Sequence, residues 1–260
     1  MEIRTYSNSL EDENSKIRAS AIIEMGRTGN RDAIESIIEV LENAEEVDWV
    51  RACAAIALGK LSNGEVIPSL IDALQNDDII VCRAAISALG DTGNRQAIPH
   101  LEEIFHNMDK EELHAVTIKV IGEIGGDEII PVLLQALESS NDFVRVRAAL
   151  ALCELRTDQA VPHFLRLIKD GNKSLRAIAA SSLGLMGEKS AVKPLLVALD
   201  DKAETVRAVA ASSLGCVADS SVIPILEKTL EDDSKVVRKQ AAGAISKLKL
   251  REENKSTIDN

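Results

Sequence analysis

One arrangement of residues recurs along this chain at a nearly fixed interval, and that interval decides what the chain can fold into. Val206 to Gly215 reads VRAVAASSLG and Leu175 to Gly184 reads LRAIAASSLG. With the arginine as reference, the equivalent positions are Arg18, Arg51, Cys82, His114, Arg145, Arg176, Arg207 and Arg238, at successive steps of 33, 31, 32, 31, 31, 31 and 31. A constant period of this length specifies a stack of similar units, each burying its apolar face on its neighbours, and not one globular core.

Each unit reads as two helices. The first carries apolar or small residues at −1, +3, +4 and +7 from the reference, as in Val50, Ala54, Ala55 and Leu58, which is the period of one helical face. Its alanine pair allows close approach of neighbouring helices. Gly26, Gly59, Gly90, Gly122, Gly184 and Gly215 follow, and glycine there predicts a left-handed helix cap. Pro68, Pro99, Pro131, Pro162, Pro194 and Pro224 then open the second helix, where a missing N–H is not needed. The second helix carries its own stripe, such as Ile67, Leu70, Ile71 and Leu74, and pairs such as Asp77-Asp78, Asn141-Asp142, Asp200-Asp201 and Asp232-Asp233 are expected to cap the next first helix.

The unit D-x-x-V-R-x-x-A-A-x-x-L-G, then a glycine turn, then A-V/I-P-x-L-x-x-x-L, resembles the HEAT-like repeats first associated with phycobilisome lyases. VRACAAIALGKLSNGEVIPSLIDAL and LRAIAASSLGLMGEKSAVKPLLVAL show it best. The resemblance implies an all-α, right-handed α-solenoid of about seven and a half two-helix repeats, a single array over 1–250. Within it, 1–10 is expected as a degenerate N-terminal cap and 234–250 as a C-terminal capping helix, with 251–260 a disordered polar tail. It also implies a ladder between each reference arginine and the aspartate of the preceding turn. Cys82 and His114 interrupt that ladder; Arg83 is expected to substitute in part, and an irregular joint is expected between the third and fourth units.

Composition narrows the function. Only 2% of residues are aromatic and 45% are hydrophobic, so Leu, Ile, Val and Ala must fill the interior. A net charge of −12 disfavours nucleic acid and anionic membranes, with a local basic run at Lys235, Arg238, Lys239, Lys247, Lys249 and Arg251. Cys53, Cys82, Cys153 and Cys216 occupy four different repeat positions with no metal-ligand spacing, as expected of reduced thiols in a cytoplasmic protein. No apolar run approaches a membrane span. Catalytic constellations are not expected. His100, His106, His114 and His163 form no His-Glu pair of the kind by which HEAT-type deoxyhypusine hydroxylases hold iron, and neither a P-loop nor a Cys-x-x-Cys occurs. HEAT-type DNA glycosylases present a basic, aromatic groove, whereas the lone Trp49 is expected to pack at a repeat junction. No cofactor and no metal are expected.

In solenoids of this kind the second helices line the concave side, and their outward positions are +10 and +13, counted from the first-helix glycine. After Ser36 and Glu39, the candidate protein-binding row reads Ser69 and Asp72, His100 and Glu103, Val132 and Gln135, His163 and Arg166, Pro194 and Val197, Ile225 and Lys228. Its character changes from acidic to apolar and basic. Outward-facing Val132, Val197 and Ile225 place the expected contact surface on units four to seven. The expectation is therefore a non-catalytic scaffold that holds a protein partner on this row. The family resemblance carries an alternative, a subunit of a phycobilin lyase or another chromophore-handling factor, and a third possibility is that the basic last helix docks the array into a larger assembly.

Overall fold

A computed structural model describes residues 9–29, 31–61 and 64–258, with the side chains of 255–258 outside the description. Among these residues it contains fifteen α-helices and no strand. In chain order they are α1 (Ser15–Thr28), α2 (Ile34–Glu42), α3 (Asp48–Leu61), α4 (Ile67–Ala73), α5 (Ile79–Thr92), α6 (Ile98–His106), α7 (Glu111–Ile124), α8 (Ile130–Ala136), α9 (Asp142–Leu155), α10 (Val161–Leu167), α11 (Lys173–Leu185), α12 (Val192–Ala198), α13 (Glu204–Val217), α14 (Ile223–Thr229) and α15 (Lys235–Ile258). Odd numbers are first helices of a pair and even numbers second helices. A short 3-10 turn leads into every second helix.

Packing divides the chain into two compact units, Met1–Val132 and Leu133–Asn260. In the first, α1, α3, α5 and α7 stack in series; in the second, α9, α11, α13 and α15 do. Six of the second helices lie against the first helix that follows them, α2 on α3, α4 on α5, α6 on α7, α10 on α11, α12 on α13 and α14 on α15. The core follows the expected stripes: Val50, Ala54, Ala55 and Leu58 of α3, and Leu175, Ala179, Ala180 and Leu183 of α11, are all fully buried. Alanine at the centre of each stripe permits this close stacking, because interiors pack without voids and a larger side chain would have no room.

The glycines act differently from the cap role expected of them. Gly26, Gly59, Gly90, Gly184 and Gly215 lie inside their helices, not at left-handed caps. A Cβ on Gly59 would sit 2.7 Å from Cα of Ala88, and one on Gly215 2.8 Å from Cα of Ala244. These positions need glycine because the next first helix touches their backbone. The left-handed caps are the later glycines, Gly29 and Gly93, with φ of 69° and 62°, while Arg156 caps α9 in the same conformation.

The side-chain caps also fall partly elsewhere. Asn14, Asp78, Asn141 and Asn172 accept backbone N–H groups at the starts of α1, α5, α9 and α11. Asp201 and Asp232 instead accept from the N–H of Ala203 and Ser234, shaping the turn before the helix. The segment 251–258, expected to be disordered, extends α15 to Ile258. Good helix formers continue the helix, and Arg251 donates to the carbonyl of Cys216 while Ser220 donates to Glu252. Residues 1–8 of the expected N-terminal cap lie outside the described residues; Ser9 and Leu10 are helical.

Candidate functional site

The turns between pairs carry an arginine–carboxylate ladder, and in the second unit it is continuous. Arg145 Nη1 donates to Asp170 at 2.7 Å. Arg176 reaches the backbone carbonyls of Asp170 and Gly171 with Nη1, and clamps both carboxylate oxygens of Asp201 at 2.6 and 2.8 Å. Arg207 repeats this, from the carbonyl of Asp201 to the carboxylate of Asp232, and Arg238 ends on the carbonyls of Asp232 and Asp233. The carboxylate that links successive pairs therefore comes from the turn that follows the arginine's own pair, and Arg176, Arg207 and Arg238 take only carbonyl oxygens from the turn before it; the expected pairing with the preceding aspartate is corrected for these three, while Arg145 also meets Asp142 at the start of its own helix. Each aspartate has two roles, holding one guanidinium by its side chain and the next by its main chain. The guanidinium hydrogen bonds keep Asp201 and Asp232 below the ordinary carboxylate range against the opposing effect of burial, and Arg176 and Arg207 are raised in turn.

In the first unit the ladder is interrupted. Arg18 clamps Glu46 at 2.6 and 2.7 Å, and Arg51 donates to the carbonyl of Leu41 and to Asp48. Cys82 replaces the third arginine, and the missing cation is supplied by Lys110, not by Arg83, which is exposed. The Lys110 ammonium donates to the carbonyls of Leu74 and Asn76 at 2.7 and 3.2 Å and lies 3.4 Å from the Cys82 sulfur. His114 contacts the carbonyl of Asn107 through Nε2 at 2.9 Å and meets Phe105 edge-on. The joint between α6 and α7 is irregular, as expected: a single 3-10 turn, Met108–Lys110, bridges them.

The candidate row on the second helices divides into two registers. Position +13 from the first-helix glycine, occupied by Asp72, Glu103, Gln135, Arg166, Val197 and Lys228, is exposed throughout. Position +10 is mostly recessed. Ser69 is buried and donates to Glu42 at 2.7 Å, while His163 is half-buried with Nδ1 3.6 Å from Glu138. His100 and Pro194 are half-buried, and Ile225 is exposed. Val132 is 4% exposed, so the expectation of an outward Val132 is overturned. At Ser69 and His163 position +10 faces the C-terminal end of the preceding second helix, through the Ser69 hydrogen bond to Glu42 and the approach of His163 to Glu138, and Val132 occupies the equivalent position. Glu138 and Glu42, both at position +16, also belong to the surface, three residues beyond the +13 position of the expected row. Trp49 is 39% exposed and not packed away.

Clefts open between successive second helices. One of about 620 Å3 is lined by Glu138, Ser139, Arg145, Arg166, Lys169 and Asp170, and Arg166 lies on Glu138 there. Another of about 590 Å3 is lined by Arg176, Pro194, Val197, Asp201 and Lys202 among others. Among the described residues no group of three or more His, Cys, Asp or Glu side chains is placed to hold a metal, and no helix is long and apolar enough to cross a membrane.

The family profile of HEAT repeats matches residues 5–86, 48–117, 107–172 and 162–246. The chain belongs to the HEAT-repeat family. Among solved structures, YibA of Escherichia coli superimposes with a TM-score of 0.72 at 21% identity, over 95% of this chain and 92% of that one. The complex of CpcE and CpcF of phycocyanin lyase from Nostoc sp. gives 0.52 at 21% identity, over 94% and 93%. An engineered protein gives 0.56 at 19% identity, over 95% and 78%. At these identities the likeness is one of HEAT fold. A sequence comparison with curated proteins finds no match.

Proposed function

We propose that this HEAT-repeat protein is a non-catalytic scaffold, in a cytoplasmic setting, that holds a protein partner on the exposed row of its second helices. The observation that carries the reading is Val197, 71% exposed on α12, with Ile225 exposed at 41% on the neighbouring second helix α14. Both stand on a surface whose internal needs are already met, since the ladder and the first-helix stripes hold the stack. Removing such residues from water on binding contributes roughly 1.5–3 kcal/mol for each fully covered side chain. A stacked array also loses little conformational freedom when it binds.

The test is capture of partners from cell lysate by the parent and by a V197D/I225D variant whose helicity and solubility match the parent. Loss of a captured protein from the folded variant supports the reading. Equal capture by both, or by neither, removes the site. Bilin-dependent visible absorbance of the purified protein would replace the scaffold with a chromophore-handling role.

A further inference from the structure

The charge of the chain is unevenly distributed. Residues 1–132 contain 25 acidic and 11 basic residues, whereas 133–260 contain 17 and 19. The second helices of the first unit carry their share of it with no opposing charge. The helices α2, α4 and α6 carry Glu35, Glu39, Glu42, Asp72, Glu102 and Glu103, and no lysine or arginine.

A cleft of about 290 Å3 opens between α2 and α4, lined by Glu42, Asp72, Ser69, Gln75, Asn76 and Arg51. Its counterpart in the second unit shows what such a cleft accepts. There Glu138 takes the place of Glu42, at position +16, and Arg166 the place of Asp72, at position +13. Arg166 lays its guanidinium on Glu138, and His163 stands 3.6 Å from the same carboxylate. In the first unit those two neighbours are replaced by Asp72 and Ser69, and the Ser69 hydroxyl bonds to Glu42 without supplying charge. Arg51 lines the cleft as well, but its guanidinium is committed to the carbonyl of Leu41 and to Asp48. Two carboxylates thus share a cleft whose counterpart is closed by a guanidinium of the chain itself.

We propose that the second-helix face of the first unit docks a Lys/Arg-rich segment of another protein, with one basic side chain entering the α2–α4 cleft between Glu42 and Asp72. Glu39, Asp72 and Glu103, all exposed at equivalent positions of successive second helices, set the spacing of its further charges at roughly 10 Å, the separation of packed helices. This inference rests on the scaffold reading and supplies the chemistry of a partner for the other unit. Charge complementarity of this kind steers encounter and selects partners.

The probe is fluorescein-labelled nona-arginine, titrated with the full chain by fluorescence anisotropy at about 0.15 M salt, where charges more than about 8 Å apart are screened. The E42Q/D72N variant should bind at least about tenfold more weakly, as loss of a close charge pair entails. A D91N/E112Q variant removes the same charge from exposed carboxylates off the second helices and should change affinity less than about twofold. V197D/I225D should bind the probe as the parent does. Equal weakening by the two charge variants, or no saturable binding, overturns the proposal. So does sedimentation of the parent as an oligomer that E42Q/D72N dissociates, since the occupant would then be a second copy. If the probe fails to bind while V197D/I225D still loses a captured partner, this proposal falls and the scaffold reading stands. If the probe binds and V197D/I225D captures everything the parent does, the apolar site falls and this one stands.

Discussion

Replacing Asp201 by asparagine tests whether the ladder holds the stack. The Arg176 side chain is 7% exposed and that of Asp201 12%, so the pair lies between two known limits. Exposed ion pairs contribute about 0–1 kcal/mol, and breaking a fully buried pair costs about 3–5 kcal/mol. Asparagine retains an oxygen for the N–H of Ala203, so the turn survives. What is lost is the charge and one of the two guanidinium bonds, leaving Arg176 on two carbonyls and the asparagine oxygen with its charge uncompensated. A cost of about 2 kcal/mol follows, since a hydrogen bond to a charged group contributes about 1.5–3 kcal/mol. For a chain of this size that is a fall in melting temperature of about 4–8 °C. Thermal and urea unfolding followed by helical circular dichroism at neutral pH would measure it, in the parent and in an Arg176→Met background. The cost should largely vanish in that background. A D201N variant within about 0.5 kcal/mol of the parent, or an equal loss without Arg176, would refute the assignment.

The same carboxylates set an acid limit. Asp201, Asp232 and Glu46 have folded-state pKa values depressed below their unfolded ones, so their contribution is present above the ordinary carboxylate range, near pH 4, and is lost as pH falls below it. The urea midpoint should therefore decline below about pH 4, and D201N/D232N should flatten that decline. Gly59→Ala should cost roughly 1–3 kcal/mol, because the new methyl meets the Ala88 backbone, whereas Gly64→Ala, with nothing within 4 Å, should be near neutral; equal effects would reject close helix approach as the reason for Gly59. Lys110→Met should destabilise by about 1–2 kcal/mol in urea by leaving the Leu74 and Asn76 carbonyls without their cation, and an unchanged midpoint would transfer the order of that joint to Phe105 and His114.

How much was legible depended on whether the cause lay within one repeat or between two. The first-helix stripes could be read because their period is local, and from α3 to α13 they are buried where expected, while at the two ends Ile17 and Ala242 are exposed. Glycine after the stripe announced that no Cβ is tolerated, but spacing alone does not separate a left-handed φ from a neighbour's backbone. At Gly59 the neighbour is the cause, and at Gly93 the dihedral. Positions +10 and +13 of the second helix lie one helical turn apart, hence on one stripe, and Ser69 differs from Asp72 in burial because of the preceding second helix. Lys110 was not legible as the substitute cation because it stands outside the repeat alignment, in the segment that lengthens the period. Its reach of 36 residues back to Leu74 is visible only once α5 and α7 are stacked.

The division of labour within each repeat explains why such a row can vary. In the second unit the ladder keeps one chemistry at constant spacing, Arg145, Arg176, Arg207 and Arg238, and the first-helix alanines keep one size. The exposed residues at position +13 there vary in size, polarity and charge: Gln135, Arg166, Val197 and Lys228. If stability resides in the first set and recognition in the second, Val197→Asp should change unfolding free energy by no more than about 0.5 kcal/mol, the range of surface substitutions in helices, while abolishing a contact that needs an apolar side chain. Val197 is exposed and makes no polar bond that aspartate would break, and the Arg176–Asp201 clamp joins the start of α11 to the turn after α12, outside α12 itself. A loss comparable with that of D201N would show that the row also carries the stack, and recognition could then not have diverged from repeat to repeat without loss of fold.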